Sequence, residues 1–232
     1  MQRKRLVVIS EGDGDVEAAH SLVHRILKEI NPWDCLWLDP NVIRAGGLQN
    51  LTGRKATNWT NKLRVAQNRG DLGGVLLVLD GDAERVEGAA FCAKDVATEL
   101  ATRAASAGGG STYSVACVFA CPEFETFLIA GIGSLAGKPL PNGRPGIDPS
   151  AQAPPNLETA PRDAKGWLRQ HMRAGYRPTR DQKPLTDMVS LDDIRKYGLR
   201  SFRRLENALR ELVEAIRGDS HVTSPRMRKP ST

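Results

Sequence analysis

The sequence has few cysteines and lacks the spacings that bind zinc. Its 232 residues include four cysteines and four histidines, and no two cysteines form a C-x-x-C pair. The histidines do not have zinc-finger spacing either. These absences exclude the common structural zinc modules, and we expect free, buried thiols in a reducing cytoplasm. The cysteines are Cys35, Cys92, Cys117 and Cys121.

Long hydrophobic runs are also absent. No stretch approaches the roughly 20 apolar residues that a membrane-spanning helix needs. The basic start, residues 1–5, is followed by only about five apolar residues, which is too few for the core of a signal peptide. We therefore expect a soluble, cytoplasmic protein that has no membrane partner.

The glycine-rich signatures of nucleotide-binding loops are missing as well. The chain has no P-loop ending in Gly-Lys-Ser/Thr and no full G-x-G-x-x-G, which argues against nucleotide binding by such a loop. A hydrophobic content of 40% and a charged content of 26% are typical of globular proteins and exclude wholesale disorder. A net charge of +6 favours a polyanionic partner.

The positive charge is unevenly distributed along the chain. Residues 161–210 contain thirteen Lys or Arg and six Asp or Glu. One interpretation is a set of solvated helix faces, and the other is a surface that binds a phosphate backbone. The sequence leaves both interpretations open.

Apolar runs alternate with amphipathic segments over the first 130 residues. This alternation predicts an α/β fold built from parallel β-α-β units with right-handed crossovers. We expect a sheet of about four strands flanked by helices, within a domain of residues 1–132. The predicted strands are residues 5–10, 35–38, 74–79 and 113–119. The predicted helices are about 16–30, 58–69, 89–105 and 123–130.

The composition changes near residue 133. Residues 133–161 contain seven prolines and several glycines, which predicts a loop or linker. Residues 162–217 are predicted to be a helical extension, and residues 218–232 a disordered tail. The last predicted helix, 201–217, has one apolar stripe, which favours packing on the first domain over binding a partner.

Acidic residues follow three predicted strands at the point where each strand ends. In an open α/β sheet, ligands bind outside the carboxyl ends of the strands, so these side chains are expected to converge. Carboxylate oxygens are the ligands that Mg²⁺ and similar cations prefer. The residues are Glu11, Asp80, Asp82, Glu123 and Glu125.

Each acidic position also has a second interpretation. Two anions as close as Asp80 and Asp82 are costly unless a cation neutralises them, but Asp80 could simply cap the next helix. Asp15 either joins the metal or is only stabilised by the dipole of its helix. Glu123 and Glu125 face one way if the segment is extended and diverge if it is helical, so that only one would reach the site. The sequence does not decide which.

A strand ending in Glu-Gly, then a helix, then an apolar strand ending in Asp-x-Asp resembles the Toprim domain over residues 5–130. This domain is the catalytic module of topoisomerases, primases and OLD-family nucleases. A closer resemblance, to one family of small bacterial Toprim-like proteins, extends over most of the chain. It rests on Glu11-Gly-x-x-Asp15, Asp80-x-Asp82, residues 122–130, Gly175-Tyr176-Arg177-Pro178-Thr179 and Ser201-Phe202-Arg203.

The resemblance implies an enzyme that cleaves phosphodiester bonds in DNA or RNA with Mg²⁺ or Mn²⁺. It also implies a partner ATPase of the ABC/SMC or AAA type and a role in defence against phages or plasmids. Its catalytic residues would be Glu11, Asp80, Asp82, Glu123 and a basic residue. Its metal ligands would be Glu11, Asp15, Asp80, Asp82, Glu123 and Glu125.

Two positions need comment within this resemblance. Asp15 stands where related nucleases often carry Glu. Nucleases of this type also place a basic residue near the scissile phosphate, and Lys183 or Arg180 is the candidate here. The resemblance does not distinguish DNA from RNA, and a homo-oligomer is an open alternative.

Two other functions compete with the nuclease. The first is a non-catalytic Toprim-like subunit that binds nucleic acid or an ATPase, which the modest chain length and the apolar helical C-terminal half favour. The second is a phosphatase of the haloacid dehalogenase type, because Asp80-Gly81-Asp82 after an apolar strand resembles its nucleophile motif. That motif normally follows the first strand, and Glu84 stands here in place of its usual threonine.

Overall fold

The protein is built around a central β-sheet, in a computed structural model that describes residues 2–226. The strands are β1 (Lys4–Ser10), β2 (Leu36–Leu38), β3 (Ile43–Arg44), β4 (Leu72–Asp80), β5 (Arg85–Val86), β6 (Ala89–Ala90), β7 (Ser114–Ala120) and β8 (Thr223–Ser224). The helices are α1 (Asp13–Ile30), α2 (Thr57–Gln67), α3 (Ala93–Arg103), α4 (Glu125–Ala130), α5 (Ala164–Gln170), α6 (Lys183–Met188), α7 (Leu191–Tyr197) and α8 (Arg200–Arg217).

The sheet has the order β2-β1-β4-β7-β8, and β3 also pairs with β1. Every pair in this sheet is parallel, whereas β5 and β6 form a separate antiparallel hairpin. The predicted α/β class, with a parallel sheet flanked by helices, is therefore confirmed. From β1 the chain runs outward to β2 and β3, then crosses to β4 on the other side of β1. The strand order reverses between β1 and β4, and such a switch point is where open α/β sheets bind ligands.

The three long strands are buried on both faces, which explains why they appear in the sequence as unbroken apolar runs. Successive side chains alternate between the faces. In β1, Leu6 and Val8 belong to one core cluster, and Val7 and Ile9 to the other. The first cluster packs the sheet against α1 and α4–α8, and the second packs it against α2 and α3.

Residues 133–161, predicted to be a loop or linker, contain no α-helix or strand and pack as a loop against the helices. Within residues 133–161, five buried side chains join the same core cluster as α1 and α8. Four of them lie between prolines and one precedes the first proline, and their burial packs the segment on the helices. The five are Leu135, Leu140, Ile147, Ala151 and Leu157.

The prediction that the chain is disordered after residue 217 is wrong where the structure describes a strand, β8. β8 pairs in parallel with β7, with Thr223 opposite Val115, and Ser224 is fully buried. Residues 227–232 of the predicted tail lie outside the described residues. Within residues 2–226, no helix combines the length and the apolar character that crossing a membrane requires.

Candidate metal centre

The carboxyl ends of β1 and β4 bring two of the predicted acidic residues together. Glu11 follows β1 directly, and its Oε2 accepts a hydrogen bond of 3.0 Å from the backbone N–H of Asp80. Burial raises the pKa of Glu11, and the negative charges of Asp15 and Asp82 add to this rise. The two strand ends that flank the switch point are thus linked through a carboxylate.

Asp80 is the last residue of β4 and is only 7% exposed. Its Oδ1 accepts a 2.9 Å hydrogen bond from the backbone N–H of Phe124, so the end of β4 is linked to the segment that follows β7. Burial raises the pKa of Asp80 well above its ordinary value, and the carboxylates of Asp15 and Glu125 raise it further. A buried carboxylate with acidic neighbours needs a cation to remain charged.

Glu123 and Glu125 both reach the site, although sequence reasoning allowed only one if the segment is helical. The helix α4 begins at Glu125, so Glu123 lies before it and is not constrained by helical spacing. The Oε2 atom of Glu123 accepts hydrogen bonds from the backbone N–H groups of Ala164, at 2.7 Å, and Lys165, at 3.2 Å. Glu123 therefore attaches the start of α5 to the site.

Lys165 places a positive charge among these carboxylates. Its Nζ lies 2.9 Å from Asp80 Oδ2, 2.9 Å from Glu123 Oε1 and 3.8 Å from Glu125 Oε2. Burial alone would lower the pKa of Lys165, but the charges of Asp80 and Glu125 outweigh it and raise the pKa. The ammonium group therefore stays charged and partly neutralises the site.

Glu125 is more deeply buried than Asp80 and Glu123, with no solvent exposure. Its Oε1 accepts a 2.8 Å hydrogen bond from the hydroxyl of Tyr176. Its Oε2 has no hydrogen-bond partner within residues 2–226. Burial raises the pKa of Glu125 to about 7, despite the opposing effects of Lys165 and Tyr176. A fully buried carboxylate oxygen without a donor is costly, and a bound cation would satisfy it.

Two other predicted ligands lie outside this group. Asp15 is in the first turn of α1, where its carboxylate accepts hydrogen bonds from the backbone N–H of Gly12 at 3.2 Å and from Gln182 Nε2 at 2.8 Å. Asp82 is exposed and has no hydrogen bond or ion pair within the described part of the chain. Asp80 belongs to the buried group of carboxylates and the exposed Asp82 does not, although the sequence treated them as one metal-binding pair.

The basic residues proposed from the resemblance lie elsewhere. Lys183 is exposed and forms an ion pair of 2.6 Å with Asp187, one helical turn along α6. Arg180 pairs with its neighbour Asp181. Among the contacts of residues 2–226, neither side chain reaches Asp80, Glu123 or Glu125, whereas Lys165 does.

A divalent cation fits the geometry of three buried carboxylates at this edge of the sheet. One oxygen from each of Asp80, Glu123 and Glu125 lies within 4.8 Å of the other two. A cation with metal–oxygen distances of about 2.0–2.6 Å joins oxygens up to about 4–5 Å apart. We call Asp80, Glu123 and Glu125 the acidic triad. Its hard oxygen donors suit Mg²⁺ or Mn²⁺.

Sequence reasoning missed three residues that shape the site, namely Lys165, Tyr176 and Gln182. Tyr176 lies inside a segment on which the resemblance rests, so a signal for it existed. Lys165 has no such signal, because it is 85 positions from Asp80 and follows the proline-rich segment. Gln182 donates a hydrogen bond to Asp15. It immediately precedes Lys183, which the resemblance indicated as the basic residue.

Comparison with protein families identifies the family of the chain. A family model described as "Domain of unknown function (DUF4276)" matches residues 10–210. The matched range includes Glu11, the acidic triad, Lys165 and Tyr176. No curated protein matches significantly, and no solved structure does so either.

Proposed function

Because the chain belongs to the DUF4276 family, whose description names no activity, we propose its function from the site itself: a Mg²⁺- or Mn²⁺-dependent nuclease of the Toprim type. The substrate would be DNA or RNA, and the bond cleaved a phosphodiester. The ATPase partner and the role in defence are part of this proposal through the resemblance alone.

One observation carries the proposal: three buried carboxylates converge at the carboxyl edge of a parallel sheet. The acidic triad lies within 4.8 Å, and the Oε2 of Glu125 has no hydrogen-bond donor among the described residues. A structural network of this kind would be expected to satisfy its own buried oxygens. The unsatisfied oxygen supports a site that accepts a cation.

Each residue of the site would have a different role, which depends on its position. The acidic triad would hold the cation, and Glu11 lies beside it through the backbone of Asp80. When bound, the cation would lower the pKa of a coordinated water and stabilise negative charge on the phosphate oxygens. Glu123 also fixes α5, and α5 carries Lys165. Lys165, rather than Lys183, is then the cationic side chain next to the phosphate.

A second candidate function rests on the same lysine. The ammonium of Lys165 already lies within 2.9 Å of Asp80 and Glu123, where a metal ion would compete with it. In a non-catalytic subunit, the Lys165 ammonium would permanently take the place of the metal ion, and the site would be structural. Metal binding distinguishes the two functions, because only in the nuclease must the ammonium move away from the carboxylates when a metal ion binds.

The test is cleavage by the purified full chain. Plasmid, linear duplex DNA and tRNA are each incubated with Mn²⁺, with Mg²⁺ or with EDTA. We expect cleavage of at least one substrate that requires the cation. We also expect Glu125→Gln to lose it by at least about 100-fold, as for metal sites that lose an essential supporting group. The matched control is Glu214→Gln, an exposed glutamate on α8, which should retain wild-type activity.

Two results would contradict the nuclease. The first is the absence of cleavage under all conditions together with no Mn²⁺ binding in calorimetry, which would support the non-catalytic subunit. The second is cation-dependent cleavage that Glu125→Gln leaves unchanged, because the activity would then come from another site or from a contaminant.

A further inference from the structure

Most of the connection between β2 and β4 carries charge of one sign only. Between Asp39 and Asp71, residues 40–70 contain six Lys or Arg and no Asp or Glu. A segment with no acidic residue cannot neutralise its own bases, so their charge is available to a partner unless other elements supply carboxylates. The six are Arg44, Arg54, Lys55, Lys62, Arg64 and Arg69, of which Arg69 forms an ion pair with Asp39.

The basic region that the sequence emphasised behaves differently. Of the thirteen Lys and Arg in residues 161–210, seven form ion pairs within the chain. Much of that charge therefore stabilises the protein itself and is less available to an external polyanion. The seven are Lys165, Arg180, Lys183, Arg195, Lys196, Arg200 and Arg204.

The all-basic segment leaves the sheet beside Glu11. β3 pairs with the end of β1, which places Arg44 opposite Ser10. The next two backbone N–H groups, of Ala45 and Gly46, donate to the carbonyl oxygens of Ser10 at 2.7 Å and Glu11 at 2.9 Å. Gly46 has a φ of +77°, a conformation that glycine adopts without strain. The chain turns there and continues from the carboxyl edge of the sheet, where the acidic triad lies.

Three basic side chains follow this turn. Arg54 and Lys55 are exposed in a 3-10 turn (Gly53–Lys55) just before α2. Lys62, in α2, is half-buried and donates a hydrogen bond to the backbone carbonyl of Arg44. Within residues 2–226, none of the three forms an ion pair with a carboxylate. We call Arg54, Lys55 and Lys62 the basic ledge.

The helix that supports the basic ledge is firmly anchored. Trp59 and Leu63 of α2 are fully buried against the sheet, and the indole N–H of Trp59 donates a 2.8 Å hydrogen bond to the carbonyl oxygen of Leu100. Lys62 is therefore presented from an anchored helix, and Arg54 and Lys55 from the 3-10 turn that precedes it. Charges carried on ordered backbone bind a phosphate backbone at a lower entropic cost than charges on a disordered segment do.

We infer that the basic ledge binds the phosphate backbone of a nucleic acid and directs it toward the carboxylates at the end of β1 and β4. This inference rests on the proposed nuclease function and states where that enzyme would hold its substrate. Lysine and arginine contacts to phosphates release counterions and carry no sequence information. The ledge therefore supplies affinity that depends strongly on salt and is shared by different sequences.

The test measures binding apart from cleavage. The probe is a fluorescently labelled 30-base-pair DNA duplex, titrated with the full chain in EDTA and followed by anisotropy at several salt concentrations. A single strand and an RNA hairpin are titrated in parallel. The ledge variant is Arg54→Ala with Lys55→Ala. The matched control is Lys28→Ala with Arg210→Ala, which removes two exposed charges from α1 and α8. Thermal unfolding verifies that both variants are folded.

The ledge variant should bind at least about tenfold more weakly than wild type. The slope of log K against log salt should fall in magnitude by about 2, because each lost phosphate contact contributes about 0.9. The control should stay within about twofold of wild type, since its charges lie away from the ledge. Adding Lys62→Ala to the ledge variant should weaken binding further.

The inference is overturned if the ledge variant binds like wild type, if the control weakens binding equally, or if wild type binds none of the three probes. The experiments distinguish failure of this inference from failure of the proposed nuclease function. Cation-dependent cleavage with ledge-independent binding would reject only the ledge. Ledge-dependent binding without any cleavage would reject only the proposed activity.

Discussion

The Lys165 ammonium lies 2.9 Å from the Asp80 carboxylate, although the two residues are 85 positions apart in the chain. This ion pair joins the end of β4 to the start of α5. It also places a protein cation within reach of the oxygens that would bind a metal ion. Lys165 and the metal are therefore competitors for the acidic triad, and the first prediction depends on this competition.

Replacing Lys165 with methionine should tighten Mn²⁺ binding by about tenfold or more, which corresponds to about 1.4 kcal/mol. Without metal, the same change should lower the free energy of unfolding by about 3–5 kcal/mol, because it leaves buried carboxylates without their counter-charge. Calorimetry with Mn²⁺ and guanidinium unfolding in EDTA measure the two effects.

The matched control for this change is Lys94→Met. Lys94 is also the second residue of a helix, α3, but it is exposed, so neither quantity should change. Weaker Mn²⁺ binding in Lys165→Met would show that the lysine supports the metal instead of competing with it.

The structure also predicts different effects for the two aspartates that follow β4. Asp80→Asn should reduce cation-dependent cleavage by at least about 100-fold, since it removes a charge from the acidic triad while keeping an acceptor for the N–H of Phe124. Asp82→Asn should stay within about tenfold of wild type, because Asp82 is exposed and makes no contact within the triad. Cleavage rates at saturating Mn²⁺ measure the difference, and equal losses would argue for the paired role expected from the sequence.

The hydrogen bond from Tyr176 to Glu125 should contribute measurably to stability. Tyr176→Phe removes the donor to a buried carboxylate and should lower the free energy of unfolding by about 1.5–3 kcal/mol, as for hydrogen bonds to charged groups. The comparison is Tyr113→Phe, a buried tyrosine whose hydroxyl donates a 3.0 Å hydrogen bond to the neutral carbonyl of Ala107. Tyr113→Phe should lower the free energy of unfolding by only about 1 kcal/mol. Guanidinium denaturation above pH 7, where the raised pKa of Glu125 leaves the group ionised, measures both. Equal losses would mean that Glu125 is neutral in the folded protein even there.

Asp39 gives a pH dependence remote from the candidate centre. It is 1% exposed and forms ion pairs with Arg5 at 2.6 Å and with Arg69 at 3.0 Å. Burial alone would raise the pKa of Asp39, but Arg5, the N–H of Asn41 and Arg69 outweigh it and lower the pKa. Because the folded-state pKa is the lower one, this stabilisation is present above the ordinary value of 3.8 and is lost as the pH falls through the folded-state value.

Asp39→Asn should therefore lower the free energy of unfolding by about 1.5–3 kcal/mol. This loss should be constant from about pH 8 to pH 5 and should shrink at more acidic pH. Asp34→Asn is the control, since Asp34 pairs with Arg3 on the exposed surface and should cost less than about 1 kcal/mol. Urea denaturation over this pH range measures both variants. A loss for Asp39→Asn that grows on acidification would contradict the assignment.

Much of the framework was predictable because it depends on local patterns. The long strands are apolar on both faces, so their runs stand out in the sequence and imply a parallel sheet covered by helices. Parallel strands end at one edge, and for that reason Glu11 and Asp80 were correctly expected to converge. The short strands β3 and β8 were not predicted, because two-residue elements have no periodicity of their own.

The details of the site depend on where helices begin and on contacts across the chain. Glu123 and Glu125 can both belong to the acidic triad because α4 begins only at Glu125. The first residue of a helix is poorly predicted from sequence. Asp82 differs from Asp80 because it lies two residues past the pairing of β4, in a turn open to solvent. Residues 133–161 suggested a loop or linker because their prolines exclude regular structure. That five of their apolar side chains are buried in the core was not predicted.

By itself, the sequence determined the α/β architecture and the gathering of acidic residues at one edge of the sheet, because hydrophobic runs set the strands and strand direction sets where they end. Only the tertiary structure decided which carboxylates share a centre, that Lys165 supplies their counter-charge and that Tyr176 supplies a donor. Those choices are made by side chains from segments distant along the chain, and burial makes their charges matter by removing the water that would otherwise screen them.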